Sequence, residues 1–275
     1  MRRSRRIALY VVLVLLAVPF VFPTWWMITA SLLPANEVLS YPPKLFPTSP
    51  RWENYATAFR DYPLAQQYFN SLYIAVIVTV STMFVASLAG YAFARIKFRG
   101  DKLFVIVLVG LLIPSEVTII PLFRMVDNLG LTNTHWPLIV IPIFGAPSVL
   151  ATFVMRQFFI TVPDELEEAG RLDGLGRFGL YRRIALPIAR PALAAVAIFT
   201  FLNTWNFFLE PLVYLTDKSM FTLPLALTQY VDVYGGNIWN VQLAASVTTV
   251  LPVLAVFIIA QRQFVEGLAQ TGLKG

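Results

Sequence analysis

Residues 163–191 read PDELEEAGRLDGLGRFGLYRRIALPIARP, a charged, glycine-bearing island between long apolar runs. The island predicts a short surface helix, a break and a second short helix. Thr161 is placed to cap the first helix, Pro163 suits its first turn, and Asp164 and Glu165 sit at its positive end. Leu166, Ala169, Gly170, Asp173 and Gly174 fall at i, i+3, i+4, i+7 and i+8 and so share one nearly flat face. Glu167, Glu168 and Arg171 take the other side, where the 167/171 and 168/171 spacings permit exposed ion pairs of little energetic weight. A glycine inside a helix costs about 1 kcal/mol, so two on one face indicate that another backbone comes close. The face reads as a docking knob.

Outward from the island the chain reads as membrane. It is 57% hydrophobic and 13% charged over 275 residues, with a mean hydropathy of +0.69, a composition foreign to soluble domains. The expected fold is all-α and integral to the membrane. Six transmembrane helices are expected at about 7–33, 68–94, 103–123, 136–157, 192–214 and 241–261, each long enough to cross a hydrocarbon core of ~30 Å. They form a single domain over 1–275, with the island lying in a loop at 158–191. Pro114 and Pro121 are expected to kink or unwind the third span, while Pro211 interrupts the fifth. A cleavable signal peptide is the rival reading of the basic, apolar start, but its apolar part is longer than such segments usually carry.

The proline-rich stretch 34–67 reads as an extramembrane loop with one short helix near 52–59, and 216–240 as a polar loop. Of the 21 basic residues only Lys44, Arg51, Arg60, Arg124 and Lys218 fall on the side away from the termini. The positive-inside rule therefore places both termini and the island in the cytoplasm. The net charge of +6 is then a topological signal and calls for no nucleic-acid partner. Membrane lipid is the expected surrounding.

Polar groups inside spans mark pathways or helix contacts. Asn203, Asn206 and Glu210 recur at i, i+3 and i+7 beside Trp205, Phe207 and Phe208, a mixture of amide, carboxylate and aromatic groups that suits a sugar. Hydrogen bonding between helices is the alternative. Glu116, just past Pro114, either lines a pathway or caps freed backbone amides. Gln242, Ser246 and Thr249 form another stripe, better suited to helix packing. The chain has no cysteine and its lone His135, beside Trp136, reads as an interfacial residue, so no metal site is expected. No phosphate loop, HExxH or GxSxG motif occurs, hence no catalytic residues are assigned.

Glu168-Ala169-Gly170, three residues, Gly174, nine residues, then Ile184, Ala185, Leu186 and Pro187 resembles the EAA loop of ABC importer permeases, departing from it only in Gly170. PPKLFPTSPRWENYATAF at 42–59, GYAFARIKFRGDK at 90–102, IPLFRMVDNLGLTNTHWPLI at 120–139, FLNTWNFFLEPL at 201–212 and the ending LKG extend the likeness over nearly the whole chain. It is similar to carbohydrate-uptake permeases related to the smaller membrane subunit of the maltose system. That resemblance implies type I ABC importer permease architecture with a cytoplasmic coupling helix, and a bacterial or archaeal plasma membrane. Glu168, Ala169, Gly170, Asp173, Gly174, Ile184, Leu186 and Pro187 would couple to the ATPase. It further implies a homologous second permease subunit, two ATPase subunits holding ATP and magnesium, and an extracytoplasmic solute-binding protein facing 216–240. This chain would bind no cofactor itself.

The implied function is a permease subunit forming half of the pathway for a sugar, oligosaccharide or related polar solute. A bulky residue at Gly174 is expected to uncouple transport from hydrolysis. The second reading is a self-contained secondary carrier or channel for a small polar solute, although the inverted repeats carriers often show are not evident. A third is an assembly subunit with no pathway of its own.

Overall fold

Proline and glycine cut the apolar sequence into helices of unequal length. The computed structural model of the chain describes residues 3–96, 101–112, 114–231 and 235–272. Lys97 and Arg99 of the basic loop and the LKG ending lie outside the described residues. In chain order the principal helices are α1 (Arg3–Ser31), α2 (Glu53–Arg60), α3 (Leu64–Arg95), α4 (Asp101–Val109), α5 (Ser115–Asn128), α6 (Trp136–Phe144) and α7 (Ala146–Thr161). There follow α8 (Asp164–Leu172), α9 (Arg190–Trp205), α10 (Leu209–Tyr214) and α11 (Trp239–Gly272). Among the described residues the only β pairing is one bridge between Val231 and Asn237.

Among the described residues four helices are long and apolar enough to cross a membrane, at Leu9–Ser31, Leu64–Arg95, Trp136–Thr161 and Trp239–Ile259, and up to six crossings result if each of two bent pairs counts as one. The expected third span is one such pair. Phe104–Leu112 and Glu116–Asn128 meet at 105°, with Pro114 in extended backbone at the start of α5. Pro121, also expected to disrupt, lies inside α5. The fifth span departs further from expectation. α9 has 16 residues, about 24 Å of helix and short of a full crossing, and Arg177–Ile188 precedes it at 76°.

Helix α9 stops at Trp205, and α10 restarts at Leu209. In an unbroken helix Pro211 would lack its bond to the Phe207 carbonyl and clash with it; the break puts Pro211 in the first turn of α10, where no amide is needed. The last helix also outruns its expected end, continuing to Gly272 through a tail free of proline.

The chain forms two compact units. The smaller, 1–65 with 226–251, is tied by Asn54, whose amide donates to the carbonyls of Ser31 and Leu33 at 2.8 and 2.9 Å and accepts from Asn240 at 2.8 Å. The back-bonding expected of the 242/246/249 stripe is present. Ser246 Oγ donates to the Gln242 carbonyl and Thr249 Oγ1 to that of Ser246, while Gln242 Nε2 donates to Leu227 O.

In the larger unit, 66–225 with 252–275, two apolar clusters lie along α3. Ala86, Tyr91, Met155, Phe159, Tyr181 and Ala185 belong to the one near its C-terminus. Ile74, Val78, Leu138, Tyr214 and Leu225 belong to the one near its N-terminus. Helices α3 and α7 approach so closely that a Cβ on Gly90 would lie 2.7 Å from Met155 Cβ and 2.9 Å from the Arg156 amide nitrogen. Since lipid is as apolar as leucine, such close packing and buried hydrogen bonds, rather than apolar burial, hold membrane helices together.

The N-terminal end of α3 is anchored by polar groups. Gln67 donates to Lys218 O, Asn70 donates to Ser219 O and Phe221 O, and Ser71 accepts from the Leu223 amide. His135 joins the same region. Its Nε2 faces the Met220 carbonyl at 2.6 Å and so must carry a proton, while Nδ1 meets the Tyr73 hydroxyl. The lone histidine is therefore a structural latch.

Candidate functional site

The island lies wholly within the larger unit, and its first helix is α8. Its start differs from the sequence reading. Thr161 closes α7 and turns its hydroxyl back to Phe158 O, while Pro163, in extended backbone, occupies the cap position before Asp164. Asp164, Glu165 and Glu167 fill the first turn, where carboxylates complement the helix dipole.

The two faces also divide differently. Glu167 is only 4% exposed, turned inward rather than out. It faces Arg95 Nε at 3.5 Å and Arg171 Nη2 at 3.5 Å. The 167/171 pair anticipated from spacing thus exists, but as part of a buried group. Among the described residues Glu168 forms no ion pair. Arg95, the last residue of α3, also donates through its two Nη atoms to the Asp164 carboxylate and the Val162 carbonyl. Its side chain is 9% exposed. Taking ions out of water is costly unless each is paired, which explains why Glu167 and Arg95 are buried together.

Gly170 and Gly174 answer to different needs. A Cβ on Gly170 would meet Ile184 Cδ1 at 2.6 Å and Leu180 Cδ2 at 2.7 Å, so the close approach at Gly170 comes from the chain's own second helical stretch. Gly174 has φ +81° with open space around it. Its amide bonds to Arg171 O at 3.0 Å and the Leu175 amide to Gly170 O at 2.9 Å, the Schellman closure that favours glycine in the left-handed region. Beyond it, Arg177–Leu180 leads into a π-helical turn, Tyr181–Ala185. There the Tyr181 hydroxyl bonds that of Ser87 on α3 at 2.8 Å.

The eight residues expected to couple therefore fall into two sets. Glu168, Ala169, Asp173, Gly174 and Pro187 are exposed, whereas Gly170 is buried and Ile184 and Leu186 are half-buried. Leu186 packs on the α3/α7 cluster. Around the outer set stand Leu166 at 43% exposure, which the sequence reading placed on the docking face, and two apolar side chains it left out, Leu172 at 90% and Phe178 at 65%. The inner surface of α8 is fixed to its own chain, and its outer surface is bare. Arg95 stood in the sequence only as one residue of a basic cluster and of the GYAFARIKFRGDK stretch, neither of which linked it to α8.

The pathway candidates are not gathered into one stripe. Asn203 and Asn206 are exposed, but the helix ends between them, and Asn206 Nδ2 donates to Leu202 O at 2.7 Å. Glu210 belongs to the first turn of α10. The i, i+3, i+7 periodicity presumed a continuous helix, whereas the helix stops at Trp205 and restarts at Leu209. Trp205 is 3% exposed, stacked on Phe201 at 5.6 Å and edge-on to Tyr68 at 5.8 Å, so its ring is used in packing. Glu116 is exposed in the first turn of α5.

Residues 83–269 match the family described as the binding-protein-dependent transport system inner membrane component. The chain is 38% identical over 259 residues to the arabinooligosaccharides transport system permease protein AraQ of Halalkalibacterium halodurans, covering 93% of this chain and 91% of that one. It is 32% identical to the sn-glycerol-3-phosphate transport system permease protein UgpE of Yersinia enterocolitica, covering 98% of each. Its fold superposes with a TM-score of 0.81, at 21% identity and over 95% of this chain and 98% of the other, on a chain of a bacterial ABC transporter involved in import of the acidic polysaccharide alginate.

Proposed function

The chain belongs to the family of binding-protein-dependent transport system inner membrane components, and from that premise we propose that it is one half of the translocation pathway of an ATP-driven importer. Its cargo on this reading is a sugar, oligosaccharide or related polar solute. Support for the cargo class comes from its relatives, AraQ being named for the transport of arabinooligosaccharides and UgpE for that of sn-glycerol-3-phosphate.

The observation that carries the mechanism is α8, whose inner surface is fixed and whose outer surface bears Leu172 and Leu166 exposed, with Phe178 exposed on the helical stretch that follows it. On this reading Glu168, Ala169, Asp173, Gly174 and Pro187 meet a partner ATPase, with Gly170, Ile184 and Leu186 shaping the knob from behind. ATP and its magnesium belong to two such partners. ATP closes their dimer and draws the coupling helices of this chain and a homologous second permease together, opening the membrane halves outward to receive solute from an extracytoplasmic binding protein. Hydrolysis resets them. Only differential contact with the two states lets the partner shift the equilibrium. Asn203, Asn206, Glu210 and Glu116 are the polar groups proposed to meet solute, with Trp205, packed on Phe201 and Tyr68, between the first two in sequence. Six crossings, with both termini and α8 cytoplasmic, complete the arrangement.

Purification of the tagged chain from its host in mild detergent, with mass spectrometry of what accompanies it, tests this reading. A second permease, a Walker-motif ATPase and a solute-binding protein are expected. Isolation of this chain alone, with liposome transport indifferent to ATP, would overturn it in favour of a self-contained carrier.

A further inference from the structure

Arg95 is placed to do more than neutralise a charge. It is the last residue of a 32-residue helix, and its guanidinium touches three groups around the first turn of α8: the Val162 carbonyl before it, Asp164 at its start, and Glu167 one turn in. A planar, always charged fork suits this task where a lysine point charge does not. Glu167 is in turn held by Arg171, so the grip extends along α8. At the opposite end of α3, Gln67, Asn70 and Ser71 hold the backbone of Lys218, Ser219, Phe221 and Leu223. A single continuous helix thus has the island at one end and the 218–223 segment at the other.

We infer that Arg95 is a positioning residue that clamps α8 to α3, so that displacement of α8 is delivered along α3 to the 218–223 segment. This rests on the reading of α8 as the ATPase-coupling helix. Coupling between distant sites is carried by rigid elements and by hydrogen-bond and ion-pair networks that have two discrete arrangements, and the clamp would make α3 such an element. The tie at the island end is the Arg95–Asp164–Glu167 group, reinforced by the Tyr181–Ser87 hydrogen bond two turns further along α3.

The chain contains no cysteine, so Val80→Cys, on the exposed side of α3, takes a single environment-sensitive fluorophore once the partner subunits' own cysteines are replaced. The purified full complex in lipid nanodiscs is measured without nucleotide, with ATP and with ADP-vanadate, alongside its ATP hydrolysis rate. In Arg95→Ala the nucleotide-driven fluorescence change is expected to fall by about five-fold or more while hydrolysis persists, an outcome that mere loss of stability would not give. Glu167→Gln, which keeps the volume and removes the buried charge, is expected to act in the same direction and serves if Arg95→Ala does not assemble. A wild-type-sized response in either assembled variant overturns the clamp and leaves the coupling reading standing. Absence of any nucleotide response in the unsubstituted complex removes the coupling reading, and the clamp with it. A Glu167→Gln chain that cannot assemble marks the group as a folding element only and also overturns the proposal.

Discussion

Gly170 and Gly90 are both buried glycines in helices, yet their surroundings make opposite demands. The atoms that a Cβ on Gly170 would strike are the tips of Ile184 and Leu180, which have rotamers to retreat into. Helix propensity favours alanine there by about 1 kcal/mol. Gly170→Ala should therefore leave the melting temperature of the purified complex nearly unchanged, and a large loss would show that Leu180 and Ile184 cannot yield. At Gly90 the obstacles are Met155 Cβ and the Arg156 backbone, which move only with α7. Gly90→Ala is expected to destabilise by about 1–3 kcal/mol, read from the same melting curve. Gly174 is different again. Its φ of +81° makes any larger residue a backbone perturbation, so a bulky substitution there does not isolate coupling. Asp217 supplies a pH test. Its carboxylate accepts from the Ser219 amide and hydroxyl at 2.8 Å each, bonds that lower its pKa. A depressed carboxyl contributes its stabilisation above the ordinary carboxylate range near ~4 and loses it as pH falls through the lowered value. Protection of the Ser219 amide in hydrogen exchange should accordingly survive down past that range and fail only in stronger acid. Failure at milder pH would refute the cap.

Helix α8 carries its own prediction because its surfaces differ so sharply. Leu172 is 90% exposed, so Leu172→Asp should alter the stability of the chain by no more than ~0.5 kcal/mol while weakening recovery of the ATPase in co-purification. Unaltered recovery would move the docking surface elsewhere. The existence of α8 was legible in the sequence because a charged island between apolar runs has few other places to go, but its stop was not, since Gly174 was read as part of the helix's docking face and its left-handed backbone instead closes the helix. Nor was it legible which side of α8 faced inward. Helical periodicity groups residues by angle, but the inward direction was set by Arg95, a residue 69 positions before Asp164 that no local pattern connects to it. The same limit applies to the fifth span. Pro211 announced an interruption, but the break falls several residues earlier, because proline obstructs the carbonyl four positions before it. The pathway stripe was lost with that shift. By contrast, the hydroxyls of Ser246 and Thr249 behaved as expected, since back-bonding to the preceding turn is a local matter.

Across the whole chain, the distribution of exposed apolar and charged groups makes the strongest demand. The candidate window of α1 has none of its residues buried within the chain, and that of α11 only 11%. Such surfaces are stable only against lipid or a second subunit. The expected orientation rests on the basic residues, of which the positive-inside rule assigns only five to the side away from the termini, among them Arg60 in α2 and Lys218. If charge sets the orientation, α2 faces outward while the island and both termini face the cytoplasm. The absence of native cysteine permits a direct check with single substitutions at Asp61, beside α2, and at Arg177, after the Gly174 turn, both exposed. In intact cells whose outer barrier is permeable to the reagent, a membrane-impermeant maleimide should label Asp61→Cys at once. It should label Arg177→Cys only after the plasma membrane is opened. The opposite pattern would place α8 outside, where no ATPase can reach it, and would remove the coupling mechanism together with the assigned topology. Labelling of both without permeabilisation would mean that 61 and 177 share a side, which an odd number of crossings between them forbids. It would therefore show that one bent pair, Phe104–Leu112 with Glu116–Asn128, enters and leaves by the same surface rather than crossing.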